Sequence, residues 1–493
     1  MNEKNKRTKK SVFACIFCTL LLLLACGCFF SAQWYIKKFG QTGFDSILYT
    51  LLAETSGTDA AVIASFWKSA VLPAILVWML LSVVFLQRKI GRPLVKMVAS
   101  LALSLVMLLH AAFTVELPAF IGYLCRQSTI YQENYVDPLA ANITFPEQKR
   151  NLIYIYLESM ENSYMDTESG GALQCNVMPE LTALAGKKEN INFSHTDGIG
   201  GFQNMTGASW TIAAMVAQTA GIPLKVPLGV DRNEYGQDFF LPGVHMLTNV
   251  LHNNGYYQTL MVGSDANFGG RRPYYEQHGL DETFDIFTAR KEGIVPEGYF
   301  VFWGMEDLHL FDFAKQKLTA IAQQEQPFAF TMLTVDTHRT NGFVCEKCVG
   351  LWGEQYENVI SCSDKQVAAF IDWLKRQDFY ENTTIIIAGD HITMDEEYIS
   401  RNVPDDYDRT VYNCIINSPI ATQHNKNRQF VAADMFPTTL AALGCTIEED
   451  RLGLGTNLFS GKKTLVEEMG YDAFEEQLAM SSRYYKKHFF EGE

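Results

Sequence analysis

Positive charge is in short supply in this 493-residue sequence: 40 Lys and Arg face 55 Asp and Glu, a formal net charge of -15. That balance argues against a general nucleic-acid binder, because no basic stripe could dominate the electrostatics of a phosphate backbone. No nucleic-acid partner is therefore expected, and an acidic body suits a site that collects metal cations. No internal repeat, coiled coil or low-complexity block is present. Cysteine pairs of zinc-site type are also incomplete. Cys345 and Cys348 have a C-x-x-C spacing, but no second C-x-x-C or His pair completes a zinc site. In an oxidising compartment Cys362 is expected to form a loop-stabilising disulfide with one of the two; which one stays open.

What is present is distributed unevenly. A basic start (Lys4, Lys6, Arg7, Lys9, Lys10) precedes an apolar run from about Val12 to Ala32. That run is long enough for a bilayer core, which takes roughly 20 residues. Cys15, Cys18, Cys26 and Cys28 fall inside it and serve as small apolar residues. A cleaved signal peptide is the competing reading. Further apolar stretches at Ser69–Leu86 and Val98–Val115 favour an anchor of about three transmembrane helices over residues 1–118. Arg88, Lys89, Arg92 and Lys96 lie between the last two with no acid among them, so both basic segments are expected in the cytoplasm. Everything after about Pro118 is then outside, and residues 40–58 form a short external segment. Residues 119–150 read as a linker and 151–493 as an extracytoplasmic domain.

From Asn151 onward strands and helices alternate, the order of a mostly parallel sheet covered by helices on both faces. Leu152–Leu157, Tyr257–Val262, Phe328–Val335, Thr384–Ala388 and Val411–Ile416 read as strands. Pro179–Lys187, Ile212–Thr219, Met246–Asn253, Phe313–Gln323, Ser363–Lys375 and Ala433–Leu443 read as helices. Three of the strands end on ionisable groups: Glu158 after the first, Asp336, Thr337 and His338 after the third, Asp390 and His391 after the fourth. The carboxyl edge is where open α/β sheets collect ligands, and carboxylate with imidazole suits a divalent cation. A hydroxyl at Thr211 opens the helix at Ile212. Such a hydroxyl is ordinarily an N-cap. The same position also suits a nucleophile, since the helix amides would hold a phosphate or sulfate while a metal lowers the hydroxyl pKa.

NLIYIYLESMENSY, GASWTIAAMVAQTAGIPL, LTVDTHRTNGF, IIIAGDH and DMFPTTLAALG together resemble the membrane-anchored phosphoglycerol transferases and, more distantly, lipoteichoic acid synthases, both of the sulfatase/alkaline phosphatase superfamily. The resemblance runs from about Asn151 to Gly461. It is stronger to the glucan-decorating branch, through the WTIA, GIPL and LGLG elements (the last at Leu452–Gly455). It implies an alkaline phosphatase-like α/β domain behind transmembrane helices, in a bacterial inner membrane. Glu158, Asp390, His391 and Thr211 would hold one divalent metal, manganese by analogy, with Thr211 the nucleophile and Thr206 in reserve. His338 would sit opposite, donating a hydrogen bond to the phosphate or a proton to the leaving oxygen. Arg271, in NFGGRRPYY, would grip the glycerophosphate head, in a pocket more open at Gly269 than the teichoic branch has.

The implied reaction moves glycerophosphate from phosphatidylglycerol to a glycan or glycolipid acceptor through a phospho-threonine. Phosphoethanolamine transfer and hydrolysis by the same fold are the alternatives. A sulfatase proper would start from Cys or Ser in a C/S-x-P-x-R context, and TIAAM lacks that Pro and Arg. A catalytically silent membrane-anchored sensor would be expected to lack the ligands that are present here.

Overall fold

The computed structural model describes residues 2–39, 47, 60–87, 92–225 and 240–493. The expected external segment at 40–58, save residue 47, and Arg88 and Lys89 of the basic loop lie outside the described residues. Two compact units divide near residue 122.

Among the described residues the first unit contains three helices long and apolar enough to cross a membrane, with spans at Phe13–Lys38, Val62–Phe85 and Leu94–Thr114. They belong to α1 (Asn2–Phe39), α2 (Leu72–Leu86) with the turns before it, and α3 (Pro93–Thr114). Leu22, Cys26 and Ala74 are buried where the helices meet, and Phe30, Trp78, Leu103 and Met107 pack around them. Small residues at such a contact let helix backbones approach closely. Polar groups pair across the spans: Trp78 Nε1 donates to the Thr19 carbonyl at 2.9 Å, and Gln33 Nε2 lies 3.1 Å from His110 Nε2. The larger apolar side chains point outward, with Leu80 66% and Phe113 67% exposed. This is a membrane protein.

The second unit is built on a seven-stranded sheet. Its strands are β1 (Asn151–Leu157), β2 (Gly201–Gln203), β3 (Tyr257–Val262), β4 (Glu282–Phe284), β5 (Phe328–Leu333), β6 (Thr383–Gly389) and β7 (Thr410–Ile416). They lie in the order β2-β7-β6-β1-β5-β3-β4. Neighbours from β6 to β4 are parallel; β7 is antiparallel to β6, and β2 to β7. The covering helices are α4 (Pro179–Gly186), α5 (Thr211–Ala220), α6 (Leu247–Asn253), α7 (Asp307–Ile321), α8 (Gln355–Leu374) and α9 (Met435–Ala442).

All seven residues of β1 are buried, and their period-two alternation divides the core. Leu152, Tyr154 and Tyr156 face one layer, with Ile212 and Val216 of α5, Val250 of α6 and Leu440 of α9. Ile153, Ile155 and Leu157 face the other, with Leu181 of α4, Phe313 of α7 and Ile360 and Ile371 of α8. A strand covered on both faces has no polar side to show, hence the unbroken run LIYIYL.

Two differences from the sequence reading have clear causes. Strands β2 and β4 have three residues each, too few to show a pattern. Helix α7 starts at Asp307, well before Phe313, because the buried Asp307 carboxylate accepts the Val335 and Asp336 amides at 2.7 and 3.1 Å. The segment at 119–150 packs into the second unit from Tyr123 onward. Ile130 and Tyr131 are buried, Val136 exchanges backbone hydrogen bonds with Gly453, and Ile143–Thr144 pairs with Thr446–Ile447.

Candidate active site

The three central strands β6, β1 and β5 are hydrogen-bonded neighbours, so their carboxyl ends lie side by side. Glu158, Asp390 and His391 are 2%, 1% and 1% exposed, and each offers a ligand atom within 4.8 Å of the others. His391 Nε2 lies 3.8 Å from Glu158 Oε1 and 3.4 Å from Asp390 Oδ2. Surrounding groups fix these side chains. Ser159 Oγ donates to Glu158 Oε1 at 2.8 Å, and the Ser159 and His391 amides each donate to Asp390 Oδ1 at 2.8 Å. His391 Nδ1 lies 2.8 Å from the Ile392 carbonyl. As a donor there, it turns the lone pair of Nε2 inward, the arrangement usual for a metal-ligating imidazole.

Electrostatics and hydrogen bonding both fit a cation. Burial opposes the Glu158 charge, yet the imidazoles of His338 and His391 and the Ser159 hydrogen bond hold its carboxyl below its usual value. Burial, with Glu158 beside it, pushes Asp390 up to about 7. Burial also opposes charge on His391, but Asp390 and Glu158 raise it above its ordinary value. Asp390 Oδ2 and His391 Nε2 are buried and have no hydrogen-bond partner among the described residues. Each such atom costs about 1–3 kcal/mol if left unsatisfied. Two carboxylates and an imidazole around those orphaned atoms are the donor set of a divalent cation.

Thr211 is brought to this group. Its Oγ1 donates to Glu158 Oε2 at 3.3 Å. It is the first residue of α5 and not its cap: Trp210 holds the N-cap position, in extended conformation and with no side-chain cap. The hydroxyl is therefore turned to Glu158, while first-turn amides of any helix lack intrahelical acceptors. Thr206 lies elsewhere, its amide and hydroxyl both bound to the Glu475 carboxylate, the hydroxyl at 2.7 Å.

Helix α5 is held in register by groups that sequence reasoning passed over. Gln218, buried in an otherwise apolar helix, donates to the Gly389 and Asp390 carbonyls at 3.1 and 3.3 Å and accepts from Tyr154 at 2.7 Å. A lone amide in IAAMVAQTA was the available signal. At the far end the GIPL and LGLG motifs meet backbone to backbone. Gly221, at φ +68°, ends the helix, and a Cβ there would lie 2.9 Å from the Leu452 carbonyl oxygen. The Leu454 amide donates to the Gly221 carbonyl at 2.8 Å.

His338 follows β5. Its Nδ1 lies 2.9 Å from the Arg339 carbonyl, and its ring packs on Trp303 at 4.7 Å. Partial burial lowers its pKa, with Glu158 acting in the opposite sense. Asp336 turns away from the cluster: its Oδ1 accepts the Asp307 amide at 3.1 Å, and burial beside Asp307 pushes it up to about 10. Arg271 is 5% exposed. It donates to the carbonyls of Asp265 and Phe268 at 2.7 and 2.9 Å and to Ser264 Oγ at 3.0 Å. Its guanidinium lies over Phe268, which packs on Trp303. An aromatic pair thus connects Arg271 to His338, and Gly269 beside it adopts φ +67°, a region that favours glycine.

Residues 150–445 match the sulfatase family. The chain belongs to that family. Phosphoglycerol transferase I of Escherichia coli (strain 55989 / EAEC) is 31% identical over 328 residues, which are 65% of this chain and 40% of that protein. Phosphoglycerol transferase I of Salmonella choleraesuis (strain SC-B67) is 30% identical over 347 residues, 68% of this chain and 42% of that protein. The chain thus spans about two fifths of the length of these curated relatives. Among solved structures, an alkaline phosphatase superfamily protein from Vibrio parahaemolyticus aligns with a TM-score of 0.50 at 19% identity, over 68% of this chain and 76% of that one. Lipooligosaccharide phosphoethanolamine transferase A of Neisseria meningitidis aligns with a TM-score of 0.51 at 14% identity, over 88% of this chain and 84% of that one. Both share the fold, so the sulfatase-family domain here has the expected alkaline phosphatase-like architecture.

Proposed function

We propose that this sulfatase-family enzyme transfers a glycerophosphate group from phosphatidylglycerol to a hydroxyl of a glycan or glycolipid, with Thr211 carrying the group between the two. The observation that carries the reading is the Thr211 hydroxyl, aimed at Glu158 inside a buried cluster with unpartnered ligand atoms. Its curated relatives are named phosphoglycerol transferases. Three apolar helices keep the enzyme in the bilayer that holds such a donor, which raises the effective concentration of one for the other.

Glu158, Asp390, His391 and Thr211 would hold one divalent cation, manganese in our reading. When bound, it supplies positive charge that favours the threonine alkoxide and the negative phosphoryl oxygens. In the first step Thr211 Oγ1, having given its proton to solvent, forms a bond to phosphorus and the bond from phosphorus to the diacylglycerol oxygen breaks. Protonated His338 gives that oxygen its proton. In the second step the acceptor hydroxyl forms the new bond, His338 takes its proton, and Thr211 Oγ1 leaves. The first-turn amides of α5 and Arg271 would hold the phosphoryl oxygens. With the basic segments inside, the catalytic unit (residues 151–493 after a 119–150 connection) works outside the cytoplasm.

The test is incubation of the purified chain and manganese with phosphatidylglycerol or phosphatidylethanolamine, followed by mass spectrometry. Glycerophosphate on the Thr211 peptide, with diacylglycerol released, is expected. Modification from phosphatidylethanolamine alone would shift the head group, and turnover without any modified threonine would remove the intermediate.

A further inference from the structure

The cysteines expected to make one disulfide are arranged differently. Cys345, Cys348 and Cys362 are all free thiols. Cys345 Sγ lies 3.8 Å from Cys348 Sγ and 3.7 Å from Cys362 Sγ, and all three sulfurs lie within 4.8 Å of one another. A disulfide would join two of them at about 2.05 Å and leave the third apart. Zinc–sulfur bonds of about 2.3 Å instead place the corners of a tetrahedron about 3.8 Å apart. The two distances from Cys345 match edges of such a tetrahedron, and the third sulfur pair lies within 4.8 Å.

A fourth polar side chain lies beside two of the three sulfurs. Gln366 stands one helical turn beyond Cys362 on α8, so both point to the same face. Its carboxamide Nε2 lies 3.5 Å from Cys362 Sγ and 4.0 Å from Cys345 Sγ. Its Oε1 is buried with no hydrogen-bond partner among the described residues. A half-turn of the carboxamide exchanges the two ends and brings the oxygen to the sulfurs. For a zinc–oxygen bond of about 2.1 Å the tetrahedral oxygen–sulfur edge is about 3.6 Å, close to the observed values. Cys345 and Cys348 sit on a tight turn, with the Cys348 amide donating to the Cys345 carbonyl at 3.1 Å.

We propose that Cys345, Cys348 and Cys362, with the Gln366 carboxamide oxygen, form a structural zinc site that pins the loop after His338 to helix α8. The missing second cysteine pair is replaced by a cysteine and a glutamine at i and i+4 on a helix. Three thiols lose their protons to solvent as the ion binds, leaving a site of net charge -1. The loop it closes is the one that positions His338. The Phe343 amide donates to the Asp336 carbonyl at 2.7 Å, and the Phe343 ring stacks on Phe302 at 5.8 Å, which in turn faces His338.

The test uses the full chain in detergent, with zinc measured by mass spectrometry and Co2+ exchanged in as a spectroscopic probe. Wild type and Asp390→Ala should each hold one thiolate-bound ion and show a sulfur-to-cobalt charge-transfer band; Cys362→Ser should lose both. Gln366→His should keep the ion and shift the cobalt ligand-field bands, a readout that stands if Cys362→Ser fails to fold. The proposal is overturned if wild type shows no charge-transfer band or if Cys362→Ser keeps its zinc. An unshifted spectrum in Gln366→His, or a disulfide among the three cysteines in unreduced wild type, would equally overturn it.

Discussion

Glu158 and Glu161 stand three residues apart just past β1, both buried, and they are used in opposite ways. Glu161 is saturated. Its two oxygens take a bidentate pair from Arg409 at 2.9 and 2.6 Å, and also the Thr393 amide at 2.7 Å and the Ser163 hydroxyl. Glu158 takes two hydroxyls and faces an imidazole nitrogen and a carboxylate oxygen that have no hydrogen-bond partner among the described residues. A buried carboxylate with every lone pair engaged holds the fold together. One that looks onto orphaned ligand atoms is waiting for a cation.

The sharpest break in the comparison is on the reactive side. Thr211→Ala should cut lipid turnover by at least about 10^3-fold while manganese still binds, measured with labelled phosphatidylglycerol. On the structural side, Glu161→Ala strands the Arg409 charge and should cost about 3–5 kcal/mol in unfolding free energy. Glu158→Ala in metal-free protein should cost less, because the attraction of His338 and His391 that it loses is offset by burial and by the crowding of Asp390 that it relieves. Thermal unfolding of both variants without metal checks the contrast.

Finer effects sharpen it. Ser159 touches only the outer side of the ligand shell, so Ser159→Ala should weaken manganese binding by about 10–100-fold with the fold unchanged, read by calorimetry. The pH dependence has a definite sign. Metal-free Asp390 keeps its proton below about 7, and a cation must displace that proton. His391, held above its ordinary value, must give up a proton as well, so affinity should rise with pH by up to about tenfold per unit for each of the two protons displaced. Titrations at several pH values test this, and Asp390→Asn should flatten the slope.

The same contrast explains what could be read from the sequence. Strands β1 and β6 announce themselves as unbroken apolar runs, and their ends name Glu158, Asp390 and His391 directly. The spans were legible for the opposite reason, as apolar residues that face outward. Sequence separation hides the rest. That Asp336 faces Asp307 and not the cluster depends on where α7 begins, and Gln218 matters only because Gly389 and Asp390 lie against it. Thr211 and Thr206 are equivalent on paper until Glu475 is found beside one and Glu158 beside the other. The sequence suggested a disulfide from Cys362 to Cys345 or Cys348; the fold gathers all three as thiols, because α8 carries Cys362 back to the turn at Cys345.

One measurement bears most directly on the central claim, that Glu158, Asp390 and His391 gather around a single hard cation next to Thr211. Manganese added to the purified chain can be followed by electron paramagnetic resonance, which separates bound from free ion. The account predicts one tight site per chain in wild type and none in Asp390→Ala/His391→Ala, with Glu161→Gln binding as wild type does. Equal manganese binding by wild type and the double variant would contradict it.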